Sequence, residues 1–246
     1  MAREYTDLER ITRVWDIEKV KDLMSRRTLL DANGEHEKEL QTLWVSEPEY
    51  AKTASFGKNW GYYVGMDEIR RWYVDAYQAD LAENLAAVRA ADPSVPDQPG
   101  YGCFEIHPLS TPHVVLAGDG KTAQGTWYSI GQQSRALPGG KADGQWVCQL
   151  ISGDFVKQAD GSWRIWHLFV STDFMIGSGH DVSELTTMYI RGTSPDEISF
   201  GQPTIAMLAH DPTYSWCDNY PPLGEQYDTF TEAIGYGPLG HPKYHE

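Results

Sequence analysis

The amino-terminal part of the chain has apolar residues at helical spacing. From Asp7 to Asp31, one face of the predicted helix is marked by apolar residues three and four positions apart: Ile17, Val20 and Met24. Arg27 and Asp31 continue this face with charged side chains. Burying such a pair is costly unless it binds something, so both are candidate site residues. Alternatively, the face turns outward where Asn33-Gly34 ends the helix, which leaves both charges in solvent.

The next segments predict two more helices with a hairpin between them. A short helix is expected over residues 35–45, and a long one from Asp67 to about Ala91, closed by Pro93. Between these helices, residues 49–56 and 62–64 are expected to be strands, because aromatic and β-branched residues flank the turn Gly57-Lys58-Asn59-Trp60-Gly61.

From Gly102 onward the pattern is typical of strands. Four are predicted, over residues 104–117, 122–135, 145–158 and 162–174, and hairpin-like turns separate them, which indicates an antiparallel sheet. Three helices followed by long strands predict an α+β domain over residues 1–175, with the helices on one face of a curved sheet. Residues 176–246 are rich in Gly, Pro, Tyr and His, and their aromatic content predicts an ordered, mostly irregular arm that packs on this domain or on a neighbouring subunit.

The first long strand carries two histidines, His107 and His113. Alternation along a regular strand would put both on one face, although Pro108 and Pro112 favour an edge strand or a bulge and make this register uncertain. Histidine is a natural proton carrier near neutral pH, and a carboxylate such as Asp31 would orient its ring. The competing interpretation is that each histidine is a satisfied structural or surface residue.

Other polar and aromatic residues are candidates for substrate binding. His167 lies between the apolar face-mates Ile165 and Phe169, and Ser152 is a polar residue in an apolar strand. The aromatic candidates, which would stack on a ring or donate hydrogen bonds, are Tyr63, Tyr101 and Trp127.

Composition narrows the function classes. The chain has 246 residues, 41% of them hydrophobic, with 9 Trp and 14 Tyr, which suits a globule with a pocket for a flat organic ligand. A net charge of −15 argues against nucleic acid and against an anionic membrane surface as partners. No run of about 18 apolar residues or apolar leader is present, so a soluble, cytoplasmic protein is expected.

Several chemistries lack their sequence signals. GxGxxG, P-loop and GxSxG motifs are absent, and the three cysteines, Cys103, Cys148 and Cys217, form no CxxC pair. The spacing of His107 and His113 is not a common metal-ligand spacing, so no metal site is predicted.

Four segments, taken in order, resemble the SnoaL-like branch of the nuclear transport factor 2-like superfamily over about residues 8–174. They are IEKVKDLMSRRTLLDANGE, ELQTLW, SFGKNWGYYVG and GDFVKQADGSWRIWHLFVS. The resemblance implies a cone-shaped α+β barrel around a deep apolar cavity, usually in a homodimer or homotrimer. It also implies cofactor-free chemistry by a His–Asp pair. By position that pair is His107 and Asp31, with His113 as the alternative histidine.

A narrower similarity is to bacterial lyases that release formaldehyde from lignin-derived diarylpropane diols and leave a stilbene, without a cofactor. The leading hypothesis is therefore a cofactor-independent lyase for a hydrophobic aromatic small molecule. His107 would exchange a proton with the substrate, Asp31 would orient His107, and Arg27 or a tyrosine would hold an oxygen that gains negative charge. The alternatives are a dehydratase or isomerase of a polyketide- or steroid-like ligand, and a non-catalytic ligand-binding module.

Overall fold

A computed structural model describes residues 4–177, 201–206 and 221–241. The helices are α1 (Asp7–Ala32), α2 (His36–Leu43), the single turn α3 (Pro48–Ala51), α4 (Met66–Arg70) and α5 (Tyr77–Ala91), and a π-helical turn, Arg71–Ala76, joins α4 to α5. Among the described helices, none is long and apolar enough to cross a membrane.

Helix α1 forms where the sequence predicts it. Thr6 caps its amino terminus by accepting a hydrogen bond from the backbone of Glu9, and the Glu9 carboxylate accepts one from the Thr6 backbone in return. The face with Val20 and Met24 is buried, and it carries Arg27 into the interior with it. Of the two alternatives that the sequence leaves open, burial is the one observed, because Arg27 and Asp31 are both buried.

The strands are β1 (Ser55–Lys58), β2 (Gly61–Val64), β3 (Phe104–Ile106), β4 (Leu109–Leu116), β5 (Thr122–Leu137), β6 (Lys141–Lys157), β7 (Trp163–Gly177) and β8 (Ile205–Ala206). Their order in the single curved sheet is β3-β5-β6-β7-β1-β2-β8, and β4 also pairs with β5. The predicted α+β class is confirmed. The sheet is mostly antiparallel, but β1 runs parallel to β7.

Two faces of this sheet differ in what covers them. The inner face packs against the helices, and its core includes Phe56, Trp127, Ile151 and Leu168 with Met24 of α1. The outer face carries side chains that alternate with these, and Tyr62 and Phe169 pack there against Tyr236 of the carboxy-terminal segment. Whether a strand residue lies on the inner or the outer face decides whether it belongs to the helix-covered interior.

Two predicted strands differ from the observed ones. Residues 48–51 form the helical turn α3, and the strand begins later, at Ser55, because Pro48 starts a helix readily. The predicted strand over residues 104–117 is broken at His107-Pro108 and bulges between Ser110 and His113. Thr111 adopts a positive φ of 49° in this bulge, so simple alternation fails along this strand.

The described parts of the carboxy-terminal segment lie against the sheet. Strand β8 pairs with β2, and the turns Glu232–Ile234 and Pro238–Gly240 lie beside the buried Tyr236. Four of the aromatic residues that suggested an ordered arm lie outside the described residues: Tyr189, Tyr214, Trp216 and Tyr220. The division of the chain at residue 175 stays a prediction.

Candidate functional site

Arg27 and Asp31 lie at the carboxyl end of α1, inside the domain. Their exposed fractions are 4% and 8%. Arg27 Nη2 is 3.3 Å from Asp31 Oδ1 and donates a 3.1 Å hydrogen bond to the Tyr73 hydroxyl. Burial alone would raise the pKa of Asp31, but Arg27, His36 and Tyr73 outweigh burial and hold this pKa well below its ordinary range. Asp31 is therefore an anion in a dry setting.

The histidine next to Asp31 is His36, not His107. His36 is the first residue of α2, and its Nε2 is 3.4 Å from Asp31 Oδ1. The other ring nitrogen, Nδ1, faces the backbone carbonyl of Tyr73 at 3.1 Å, and the ring stacks on Tyr73 at 4.3 Å. His36 is therefore the histidine that lies beside the Asp31 carboxylate, with Nδ1 fixed by the Tyr73 carbonyl. The predicted Asp31–His107 contact is not formed.

Glu39 and Tyr73 complete this cluster, and sequence reasoning missed both along with His36. Glu39 is fully buried, and its Oε2 is 2.8 Å from the Tyr73 hydroxyl. The sequence signal that marked Arg27, a charged or polar residue on an apolar helix face, also marks two residues of α2. His36 and Glu39 share the apolar face of this helix with Leu40 and Leu43. Tyr73 gave no such signal, since the π-helical turn buries three consecutive residues and breaks the usual periodicity.

His107 has a different carboxylate partner. It sits at the junction of β3 and β4, is 5% exposed, and its Nε2 is 3.0 Å from Glu105 Oε1. The other Glu105 oxygen is 3.4 Å from the Tyr77 hydroxyl. The ring lies over Gly131, where a Cβ would come within 2.5 Å of His107 Nδ1, so only glycine leaves room for it. At the break before Pro108, His107 therefore pairs with Glu105, whereas the sequence predicted a pair with Asp31.

Lys58 is the cation that sequence reasoning assigned to a turn. It ends β1 on the inner face, opposite Val170, and is partly buried. Its Nζ lies 5.7 Å from the ring centre of Phe56 and 6.0 Å from that of Trp72, and it makes no hydrogen bond or ion pair within the described residues. Desolvation and the nearby charge of Arg27 lower the pKa of Lys58 to about 8, although Glu105 and Asp31 act in the opposite direction.

Two predicted substrate-binding aromatics lie in the inner core. Trp127 is 3% exposed and packs there with Phe155. Tyr63 stacks on Trp72 at 4.3 Å, and its hydroxyl donates to the backbone carbonyl of Gly201. Burial raises the pKa of Tyr63 to about 12, so its hydroxyl stays protonated. Tyr63 is held by the protein, whereas Trp127 offers a ring to the inner face.

Two other candidates lie at the surface. His113 is exposed next to the bulge, and its Nε2 is 3.0 Å from the Gly224 carbonyl of the carboxy-terminal segment. Tyr101 lies in the loop before β3 and lines an open groove of about 370 Å³ between α5 and the β5–β6 hairpin. The groove contains none of the charged residues described above, so neither candidate joins the Asp31 cluster.

Ser152 and His167 face the outer side of the sheet. Ser152 Oγ is 3.0 Å from Thr126 Oγ1, which is 3.3 Å from the Tyr236 hydroxyl. His167 Nδ1 is 2.8 Å from Asp154, and its Nε2 is 3.2 Å from the Thr53 carbonyl. Asp154 also accepts a hydrogen bond from the Tyr236 backbone. The structure therefore gives both residues contacts that hold the carboxy-terminal segment, away from the inner face.

A known protein family matches this part of the chain in sequence. The model of the SnoaL-like domain matches residues 12–168, from α1 to the middle of β7. The chain belongs to the SnoaL-like family. A comparison with curated proteins gave no match.

Solved structures similar to this SnoaL-like domain are distant in sequence. An NTF2-like protein with a cystatin-like fold from Novosphingobium aromaticivorans is 17% identical, with 74% of this chain and 96% of that chain covered and a TM-score of 0.46. A hexachlorocyclohexane dehydrochlorinase from Novosphingobium barchaimii is 14% identical, with 71% and 97% covered and a TM-score of 0.44.

The inner-face residues form one charged site within the SnoaL-like domain. It comprises Arg27, Asp31, His36, Glu39, Lys58, Tyr73, Tyr77, Glu105 and His107. Such a set can hold an anionic oxygen and exchange protons in a setting with little water. In the described part of the chain, no group of three or more His, Cys, Asp or Glu side chains is placed to hold a metal ion.

Proposed function

We propose that this SnoaL-like domain is a cofactor-independent acid–base enzyme for a hydrophobic aromatic small molecule. The observation that carries the proposal is the ammonium group of Lys58, which lies partly buried on the inner face beside two aromatic rings and has no hydrogen-bond acceptor among the described residues. Removing a cation from water costs free energy, and a residue with only a structural role would not need to carry that charge. An anionic substrate oxygen would supply the missing partner.

The surroundings of Lys58 support an aromatic substrate. Phe56 and Trp72 present ring faces to its ammonium group, and Trp127 lies on the same inner face. Ser129 adds a buried hydroxyl on β5 that lacks a hydrogen-bond partner within the described residues. Apolar walls with a few unsatisfied polar groups are the usual make-up of a small-molecule site.

The finer proposal is a lyase reaction that releases formaldehyde from a phenolic diarylpropane diol. Lys58 stabilises the phenolate while the benzylic C–O bond breaks and the hydroxyl leaves, with one added proton, as water. This gives a quinone methide. Deprotonation of the terminal hydroxyl then breaks the C–C bond, releases formaldehyde and returns the electron pair to the ring as phenolate. The products are a stilbene, formaldehyde and water, with no oxidant needed.

Protons in this scheme pass through the Glu105–His107 pair. A histidine that is hydrogen-bonded to a carboxylate can donate and recover a proton within one turnover. Arg27 is occupied by Asp31 and Tyr73, so we assign to Lys58 the oxygen-holding role that the sequence predicted for Arg27 or a tyrosine. Asp31 sets the local charge that keeps Arg27 in place.

Incubation of the protein with a phenolic diarylpropane diol is expected to yield formaldehyde and stilbene in equal amounts. Formaldehyde is measured by derivatisation and the stilbene by its absorbance. The matched control substrate has its phenol methylated, which removes the electron sink and is expected to stop turnover. Water loss without formaldehyde would indicate a dehydratase, and no turnover at high enzyme concentration would overturn the diol as substrate.

His107→Ala is expected to lower kcat/KM about 10²- to 10⁴-fold, because general acid–base catalysis contributes on that scale. The control is His113→Ala, which removes an exposed histidine from the neighbouring strand and is expected to leave kcat/KM near the wild-type value. Full activity in the His107 variant would refute the assigned role.

A further inference from the structure

The Tyr73 hydroxyl lies between two carboxyl groups. Its oxygen is 2.6 Å from Asp31 Oδ1 and 2.8 Å from Glu39 Oε2. Arg27 Nη2 also donates to this oxygen, at 3.1 Å. A phenol has a single hydrogen and can donate only one hydrogen bond. If both carboxyl groups were ionised, one of these short oxygen–oxygen contacts would join two acceptors with no hydrogen between them.

Geometry assigns the additional hydrogen to one of the two carboxyl groups. The shorter contact is to Asp31, which also lies 3.3 Å from the Arg27 guanidinium and 3.4 Å from His36. Glu39 Oε1 accepts a hydrogen bond from Trp44 and is 3.5 Å from Arg27 Nε, so it is the other oxygen, Oε2, that faces Tyr73. The arrangement that places a hydrogen in both contacts has Glu39 Oε2–H donating to Tyr73, and Tyr73 donating to the Asp31 anion.

We propose that Glu39 is a neutral carboxylic acid that stores a proton at neutral pH, and that this hydrogen, donated to Tyr73, leaves Tyr73 free to donate its own hydrogen to the Asp31 anion. This proposal stands on geometry and does not depend on the proposed function.

The charges around Glu39 agree with this assignment. The groups that face it or its partners are Arg27 and Asp31 of α1, His36 of α2, Tyr73 of the π-helical turn and Lys58 of β1. Arg27 is already balanced by the Asp31 anion. Burial raises the pKa of Glu39, with Arg27 opposing the change and the Asp31 charge adding to it.

Infrared difference spectroscopy tests the stored proton without a substrate. The wild-type protein at neutral pH is expected to show a carbonyl band of a protonated carboxylic acid, shifted in D₂O, that Glu39→Gln removes. Glu37→Gln is the matched control, because Glu37 is a partly exposed carboxylate on the same helix that pairs with Arg70. Absence of the band from the wild type, or its persistence in Glu39→Gln, overturns the proposal even if one variant folds poorly.

The stability of the same pair of proteins gives a second readout. A raised folded-state pKa means that the fold binds this proton more tightly than the unfolded chain does. The advantage of wild type over Glu39→Gln in free energy of unfolding is therefore full below the ordinary pKa of 4.5 and declines as pH rises above it. Denaturant titrations across this range measure the difference, and a difference that grows with pH contradicts the proposal.

Discussion

Asp31→Asn is expected to destabilise the fold by about 3–5 kcal/mol, because it leaves the Arg27 guanidinium buried without its anion. Arg27 is only 4% exposed, and it cannot reach water without disrupting the packing of α1. The loss is measured as a lower denaturant midpoint with an unchanged slope.

Two controls separate this buried pair from ordinary ion pairs. Glu18→Gln breaks the solvent-exposed Lys21–Glu18 pair of the same helix, and is expected to cost less than about 1 kcal/mol. The double change Arg27→Met with Asp31→Leu is expected to recover much of the stability lost in Asp31→Asn, because a buried pair can often be replaced by apolar side chains. Equal losses for Asp31→Asn and Glu18→Gln would contradict the assigned burial.

The buried part of the site was predictable where it follows helical periodicity. Arg27 and Asp31 stood out because they occupy positions on an apolar face, and the same rule applied to α2 would have found His36 and Glu39. It could not find Tyr73, because a π-helical turn shifts the register inside an otherwise regular helix.

The strand residues were harder to place because the alternation rule assumes an unbroken strand and does not reveal a break or a bulge. One inserted residue moves all later side chains to the other face. The break at Pro108 and the bulge at Thr111 therefore separate His107, inside, from His113, outside. Ser152 and His167 could not be placed for a different reason. Alternation shows which strand neighbours share a face with each of them, but the sequence does not tell which of the two faces the helices cover.

Long-range pairing was the part of the fold that local pattern could not give. The parallel contact of β1 with β7 joins residues more than a hundred positions apart, and it is this contact that brings Lys58 beside Val170 on the inner face. From the sequence, Lys58 was one residue of a polar turn. Its desolvation arises only when the sheet closes around it.

Lys58→Met is expected to make the protein more stable and nearly inactive at the same time. Moving the pKa of this ammonium group from 10.5 to about 8 reflects a cost of placing its charge on the inner face. Methionine keeps the apolar length and removes that cost, on the order of 2 kcal/mol after allowance for partial exposure. Loss of the cation that holds the phenolate is expected to lower kcat about 10²- to 10³-fold.

The pH dependence of these effects follows from the sign of the shift. The folded-state pKa is lowered, so the folded chain binds fewer protons than the unfolded chain between about pH 8 and the ordinary value of 10.5. The stability gained by Lys58→Met is therefore full below about pH 8 and disappears toward pH 10.5. Wild-type kcat/KM is expected to fall as pH rises through about 8, and this decline is expected to be absent from the variant.

Lys58→Arg and Lys52→Met complete the test of Lys58. The arginine variant keeps a cation that does not titrate in this range, so it is expected to retain part of the activity without the decline near pH 8. Lys52 is an exposed lysine shortly before β1, and its change to methionine is expected to alter neither stability nor rate appreciably. If Lys58 had a structural role, its substitution by methionine would lower the stability of the protein. If Lys58 instead binds an anionic ligand, the same substitution raises the stability of the unliganded protein. A destabilised but active Lys58→Met protein would therefore exclude Lys58 as the group that holds the substrate oxygen.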